Sequence, residues 1–262
     1  RLNLHMRGQH RPLLSGEPLT NDELEEEAQW ILSRAFDSRR DLDAGTVANV
    51  LRHALVDKED LPHILRYRKP SMRGDAMPLN ESDLWKILRW DARWDHFSHR
   101  HKKLLAAAAK LGDELDDDYL QMLKESQKDE HLTDMEIFLK LQTQMQDAGT
   151  AQGPKGAVAK AQAAGLGKLV EQSGLSAFQF GVNVSVDMKK NDVVDSEKMP
   201  EELAQDFVCD LYPDVDSVLR GSCNMLARQI ADEPHVRRHV RGLYRANMYI
   251  STKPTARGID NI

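Results

Sequence analysis

The sequence predicts an all-α protein, a multi-helix scaffold in two helical subdomains. Three observations carry that reading. Apolar residues recur at three- and four-residue steps in one segment after another, and side chains suited to capping stand just ahead of those segments. No alternating strand run and no repeat of fixed period occurs along the 262 residues.

Residues 1–19 hold Pro12, Gly16 and Pro18 with little periodicity and read as an extended arm. Thr20 and Glu23 then have capping-box spacing, and Asp22 to Glu27 set negative charge at the positive end of a helix dipole. Trp30, Ile31, Ala35 and Phe36 supply the apolar side of that first helix. Residues 44–66 predict two short helices broken near Pro62, ending in the basic turn Arg66-Tyr67-Arg68-Lys69. After a Gly- and Pro-rich loop, Asn80 is placed to cap the longest helix, over 81–110. Ile87, Trp90, Trp94, Phe97, His101, Leu104 and Ala108 form one stripe on it, with Leu84, Trp85 and Leu88 as a second flank.

Residues 113–146 read as acidic and then amphipathic helix. The Gly-, Ala- and Lys-rich stretch 147–160 is the expected subdomain boundary. Short helices punctuated by glycines follow. A helix over 201–211 turns Leu203, Phe207 and Leu211 inward, and Pro213 suits the first turn of the next helix. That helix has Val215, Val218, Leu219, Ser222, Leu226 and Ile230 as its apolar face. Pro234 starts another that ends near Met248, and Tyr249 to Thr252 read as a short extended piece. The expected organisation is an arm and first helix (1–41), a module with the long helix (42–110), acidic helices and linker (111–163), and a second helical subdomain (164–262). The chain begins at Arg1 and closes without a terminating feature, so it is read as a segment of a longer polypeptide.

Composition narrows the function. Charged residues make up 30% of the chain, above the usual quarter or so. The net charge of −6 is unlike a dedicated nucleic-acid binder, so local patches matter more than the sum. Cys209 and Cys223 lack CxxC spacing, which fits a reducing compartment rather than a disulfide framework. No apolar run approaches the roughly 18 residues a membrane span needs. Phosphate-binding glycine loops, a GxSxG elbow and an HExxH pair are absent from the sequence. His96/His99 and His235/His239 have helical spacing, but further ligands are not evident nearby, and surface or boundary histidine is the favoured reading. The acidic runs Glu23–Glu27 and Asp113–Asp118 read as a helix start and a solvated face, and Trp85, Trp90 and Trp94 as core rather than a base-stacking platform. No catalytic residue, metal ligand or cofactor is expected.

The segment 234–248 offers the clearest candidate surface. With Arg237 at zero, steps of about 100° put Arg241, Arg245 and Arg238 in one quadrant. Val236, Val240, Leu243 and Tyr244 fall opposite. One face should meet the core and the arginine face should meet solvent or an anionic partner, because a guanidinium fork matches phosphate and carboxylate. Arg66, Arg68 and Lys69, with Arg73 nearby, form a second candidate cluster. The alternatives are an internal brace in which every base is paired, and a metal-dependent, nuclease-like hydrolase built on carboxylates such as Glu23, Asp91 or Asp113.

Several stretches resemble one family. DELEEEAQWI from Asp22 to Ile31 looks like the helix that opens the structured core of the suppressor-of-Ty-six family. Leu61 to Lys69 resembles its PFI-x-YRK signature, shared with bacterial Tex proteins, with His63 in place of an apolar residue. Asp83 to Trp94 is similar to its DLW…WD..W pattern. Ala164 to Phe180-Gly181, Ala204 to Cys209, Gln229 to Arg237 and Thr252 to Thr255 with Gly258 follow in order. The stretch 111–160 departs from the family and looks shortened.

The resemblance implies a nuclear transcription elongation factor and histone chaperone. It would travel with the RNA polymerase II elongation complex and bind histones and nucleosomes, with DNA or RNA as further partners and no membrane. This chain would be the N-terminal helical part, with a helix-turn-helix-like module, of a larger elongated core. A nuclease-like fold without activity and the phosphopeptide-binding domains would lie elsewhere, as would most histone contacts.

Overall fold

The computed structural model describes residues 19–39, 41–69, 79–112, 115–147, 156–172, 174–186, 191–192 and 198–253. The described residues form twelve α-helices and a π-helical turn, and no strand beyond a single bridge between Cys209 and Tyr212. The all-α expectation holds.

Contacts divide the chain into two compact units, Arg1–Ala106 and Ala107–Ile262. The division falls inside the longest helix, not in the 147–160 stretch that the sequence favoured. The physical reason is that α7 (Ala157–Ala163), which leaves that stretch, packs on α6 and α11 in the second unit.

In the first unit, α1 (Asn21–Ala35) begins with the predicted capping box: Thr20 Oγ1 accepts from the Glu23 amide at 3.3 Å, and Glu23 Oε2 accepts from the Thr20 amide at 3.1 Å. The run after it is not all solvated, since Glu27 is fully buried beside Leu24, Ala28 and Ile31. α2 (Ala44–Leu51), capped by Asp43, packs on α1 and widens at its end into a π turn, Arg52–Val56. The predicted break lies at 57–60 rather than at Pro62. Pro62 sits in the first turn of α3 (Leu61–Tyr67), where its missing amide leaves no intrahelical bond unmade.

α4 (Glu81–Leu111) is capped as expected, Asn80 Oδ1 accepting from the Asp83 amide at 2.9 Å. Leu84, Ile87, Trp94, Phe97 and Leu104 are buried along it. Trp30 of α1 packs against Trp90, Trp94 and Phe97 with ring centroids 5.4–5.6 Å apart. Such aromatic pairs add about 0.5–1.5 kcal/mol each beyond area burial. Trp90 and Trp94 are therefore core, whereas Trp85 is 39% exposed and departs from the core reading.

The second unit contains α5 (Asp117–Lys124), α6 (Asp129–Gln146), α7, α8 (Leu166–Gln172), α9 (Ala177–Ser185), α10 (Pro200–Gln205), α11 (Val215–Asp232) and α12 (Pro234–Asn247). α11 is central, touching α6 to α10 and α12. Its Val218 and Met225 close a core with Leu166, Leu169 and Ala204. Gly221 permits that approach, because a Cβ there would stand 2.7 Å from the Tyr212 ring and 2.9 Å from Leu166.

Two local expectations fail here. The helix over 201–211 ends at Gln205. Cys209 and Tyr212 exchange two backbone hydrogen bonds of 2.9 Å, a tight turn that withdraws those groups from helix and leaves Leu211 half exposed. Pro213 precedes the cap instead of entering the helix, and Asp214 with Ser217 forms the capping box of α11. The piece 249–252 pairs with no strand among the described residues, and Tyr249 and Ile250 are exposed.

Candidate nucleic-acid interface

α12 reverses the expected orientation. Its arginine side faces α6. Arg237 Nε donates to Asp134 Oδ1 at 2.9 Å, and Arg241 Nη2 donates to both oxygens of Asp134 at 2.7 and 2.8 Å. Arg245 Nη1 donates to Glu130 at 3.1 Å. Asp134 is fully buried, so two guanidinium groups compensate a carboxylate that would otherwise be destabilising. The hydrogen bond from Arg245 holds the Glu130 carboxyl below its usual range. Arg238 is half buried, and burial pulls its pKa down.

The predicted core side of α12 is correspondingly open: Val240, Leu243 and Tyr244 are 56%, 52% and 67% exposed. The helical wheel separated two faces correctly, but the charge of α6 decides which one turns inward.

The second candidate cluster is split. Arg68 donates Nε to both carboxylate oxygens of Glu59 at 3.0 Å. Arg66 and Lys69 are exposed, with the Arg66 guanidinium over the Tyr67 ring. Arg73 lies outside the described residues, as does Asp113. Glu23 is committed to the α1 cap and to Lys102 at 3.4 Å, and Asp91 is buried in α4, so these acids do not share one opening. His96 and His99 are exposed, and His235 bonds Glu233 through Nδ1 at 2.8 Å.

A basic surface that the sequence reading missed lies on α4. Lys86, Arg89, Arg93, His96, Arg100 and Lys103 are spaced 3, 4, 3, 4 and 3 residues apart. At about 100° per residue they share an arc of roughly 100° that runs for about 25 Å of helix. The four acids of α4, Glu81, Asp83, Asp91 and Asp95, all fall outside it. All six are exposed except the partly buried Arg100. The Lys86 ammonium sits 4.6 Å from the centre of the Phe36 ring and the Arg93 guanidinium 4.5 Å from that of Trp90, cation–π contacts that orient the two charges while both residues stay exposed. Arg89, Arg93, His96 and Lys103 form no ion pair among the described residues. Exposed Trp85 lies on the same arc. The signal was present in the sequence as a heptad of bases, but the apolar stripe on the adjoining arc of the same helix drew the reading to itself.

These features define a class: a helical protein whose first unit presents a basic helix in a form suited to polyanions. A family model described as the helix-turn-helix DNA-binding domain of SPT6 matches residues 16–118. The chain is 26% identical to the Transcription elongation factor SPT6 homolog of Arabidopsis thaliana, over 92% of this chain and 18% of that protein. It is 25% identical to the Suppressor of Ty 6 homolog of Caenorhabditis elegans, over 92% of this chain and 20% of that protein. Against Transcription elongation factor spt6 of Schizosaccharomyces pombe it is 25% identical, over 93% of this chain and 20% of that protein. The chain is thus similar, over 92–93% of its length, to proteins named as Spt6 homologues or Spt6 transcription elongation factors. It spans about a fifth of the length of the curated relatives it matches. No described helix is long and apolar enough to cross a membrane.

Proposed function

We propose that this chain is a non-catalytic scaffold segment of a nuclear transcription elongation factor and histone chaperone. It acts with RNA polymerase II on chromatin, and its nucleic-acid contact is the basic face of α4. The observation that carries this reading is the unbroken row of bases on an exposed helix face without an intervening acid. Phosphate neutralisation needs charges that are not already paired, and Arg89, Arg93 and Lys103 meet that need. Arg66 and Lys69 are assigned to the same surface role.

Arg237, Arg241 and Arg245 are assigned instead to bracing α12 on α6, with Arg238 packed among them. Their pairing with Asp134 and Glu130 supports a brace, the second reading the sequence left open. Histone and polymerase contacts fall, in this reading, mainly to other parts of the longer polypeptide.

Fluorescence anisotropy with a labelled DNA duplex at several salt concentrations tests the assignment. The triple variant R89E/R93E/K103E should weaken binding and reduce the slope of log K against log salt by about 3, near 0.9 for each phosphate no longer neutralised. R245E, with its fold checked by circular dichroism, should leave that slope unchanged. A triple variant that binds with the parental slope overturns the assignment.

A further inference from the structure

The turn between α2 and α3 gathers four groups that neither the fold nor the basic face requires. His53 projects from the π turn, Asp57 closes it, Glu59 follows, and His63 lies one helical turn further on in α3. The spacing is His-x3-Asp-x-Glu-x3-His, two i, i+4 pairs joined across a bend. The bend is built by unusual backbone. The Asp57 amide donates to the Arg52 carbonyl at 3.0 Å, the i to i+5 bond of a π turn, and the Glu59 amide reaches the His53 carbonyl at 2.9 Å. Between them Lys58 holds φ at 55°, in the left-handed region that a lysine seldom adopts. Such π segments recur where side chains must be brought together for function.

The resulting distances are those of a ligand set. His53 Nδ1 is 2.9 Å from Asp57 Oδ2 and 3.6 Å from Glu59 Oε2. His63 Nδ1 is also 3.6 Å from Glu59 Oε2. Ligand atoms of His53, Asp57 and Glu59 all lie within 4.8 Å of one another. Neighbouring ligands in a tetrahedral site with bonds of about 2.1 Å stand roughly 3.4 Å apart. His53, Asp57 and Glu59 are near that spacing, and the half-exposed His63 side chain rotates toward His53 and Asp57 to complete the set.

Arg68 does not block the site. Its Nη2 bonds Glu59 Oε1 and its Nε is shared between both oxygens, while Oε2 faces the two imidazoles. This is the arrangement in which an outer partner orients a ligating carboxylate. The Arg68 hydrogen bond also holds the Glu59 carboxyl down at about 2. Asp57 and His63 are nearly half exposed and leave an entry path.

We propose that His53, Asp57, Glu59 and His63 form a binding site for a divalent transition ion, zinc being the ion best suited to two imidazole nitrogens and two carboxylate oxygens. Each imidazole ligates through Nδ1 and carries its proton on Nε2. The ion ties the end of α2 to the start of α3, a structural rather than catalytic role.

Isothermal titration of the chelator-treated 262-residue chain with zinc tests this, with cobalt(II) as a spectroscopic probe of tetrahedral coordination. The expected result is one ion per chain, with at least tenfold weaker binding in H63A and in D57N. The pair of exposed histidines on α4 provides the control, H96A/H99A retaining full affinity. Absence of stoichiometric binding overturns the proposal, and so does undiminished binding in both H63A and D57N, each of which alters a partly exposed side chain and leaves the core intact.

Discussion

Asp134 is held without solvent contact by Arg237 and Arg241, both about a quarter to a third exposed. Replacing it by alanine leaves two guanidinium groups facing a vacated site, whereas replacing the arginines strands a buried carboxylate. Breaking one side of such a pair costs about 3 kcal/mol, at the lower end of the usual range because the arginines keep some water. In a unit of this size that corresponds to a melting temperature lower by on the order of 10 °C. Thermal unfolding of D134A measures it, and R237M/R241M added to D134A should recover part of the loss.

His131 is a second site where burial governs the outcome. Burial first, and then the charge of Arg238, bring its pKa down to about 4, with Glu130 and Asp134 opposing and Lys128 adding to the depression. The unfolded chain therefore binds the proton more readily than the folded one. Its contribution is fully present above pH 6.5 and is lost as the pH falls through about 4. Denaturant titrations at several pH values should show H131Q with a shallower loss of stability across that window.

At the level of elements, caps and long apolar stripes were legible. Thr20, Asn80 and Pro234 mark helix starts within a residue of the observed ones, because capping is a local hydrogen-bond problem settled within one turn. The orientation of α12 was not legible. Arg237 is 103 residues from Asp134, and nothing near Arg237 announces a buried acid at that distance. The 201–211 segment failed for the same kind of reason, since the Cys209–Tyr212 bridge competes with helix in a way that periodicity does not register. The basic face of α4 was readable in principle, because its heptad spacing is explicit in the sequence.

Close packing of α9 makes an element-scale prediction. A Cβ at Gly181 would stand 2.7 Å from Glu233 Cγ and 3.2 Å from His235 Cβ, at the start of α12. G181A should lose about 1–3 kcal/mol through overpacking. Gly242, inside α12, has nothing within 4 Å of such an atom, so G242A should gain up to about 1 kcal/mol from helix propensity. Opposite signs in chemical denaturation would establish that steric crowding, not helicity, decides the first case.

On the scale of the whole molecule, a net charge of −6 coexists with a helix face bearing bases alone. Acids at the starts of α5 and α6 face the positive end of the helix dipole, and Glu130 and Asp134 of α6 are paired with arginines. The sum therefore conceals the surface that distinguishes this protein. The inward turn of the α12 arginines also has an evolutionary corollary. Along that helix the ordinary tolerance to substitution is inverted: a lysine in place of Leu243 is accommodated by water, while an aliphatic residue in place of Arg241 deprives an enclosed anion of its counter-charge. Drift among homologues at these positions should therefore be free in the greasy letters and restricted in the charged ones.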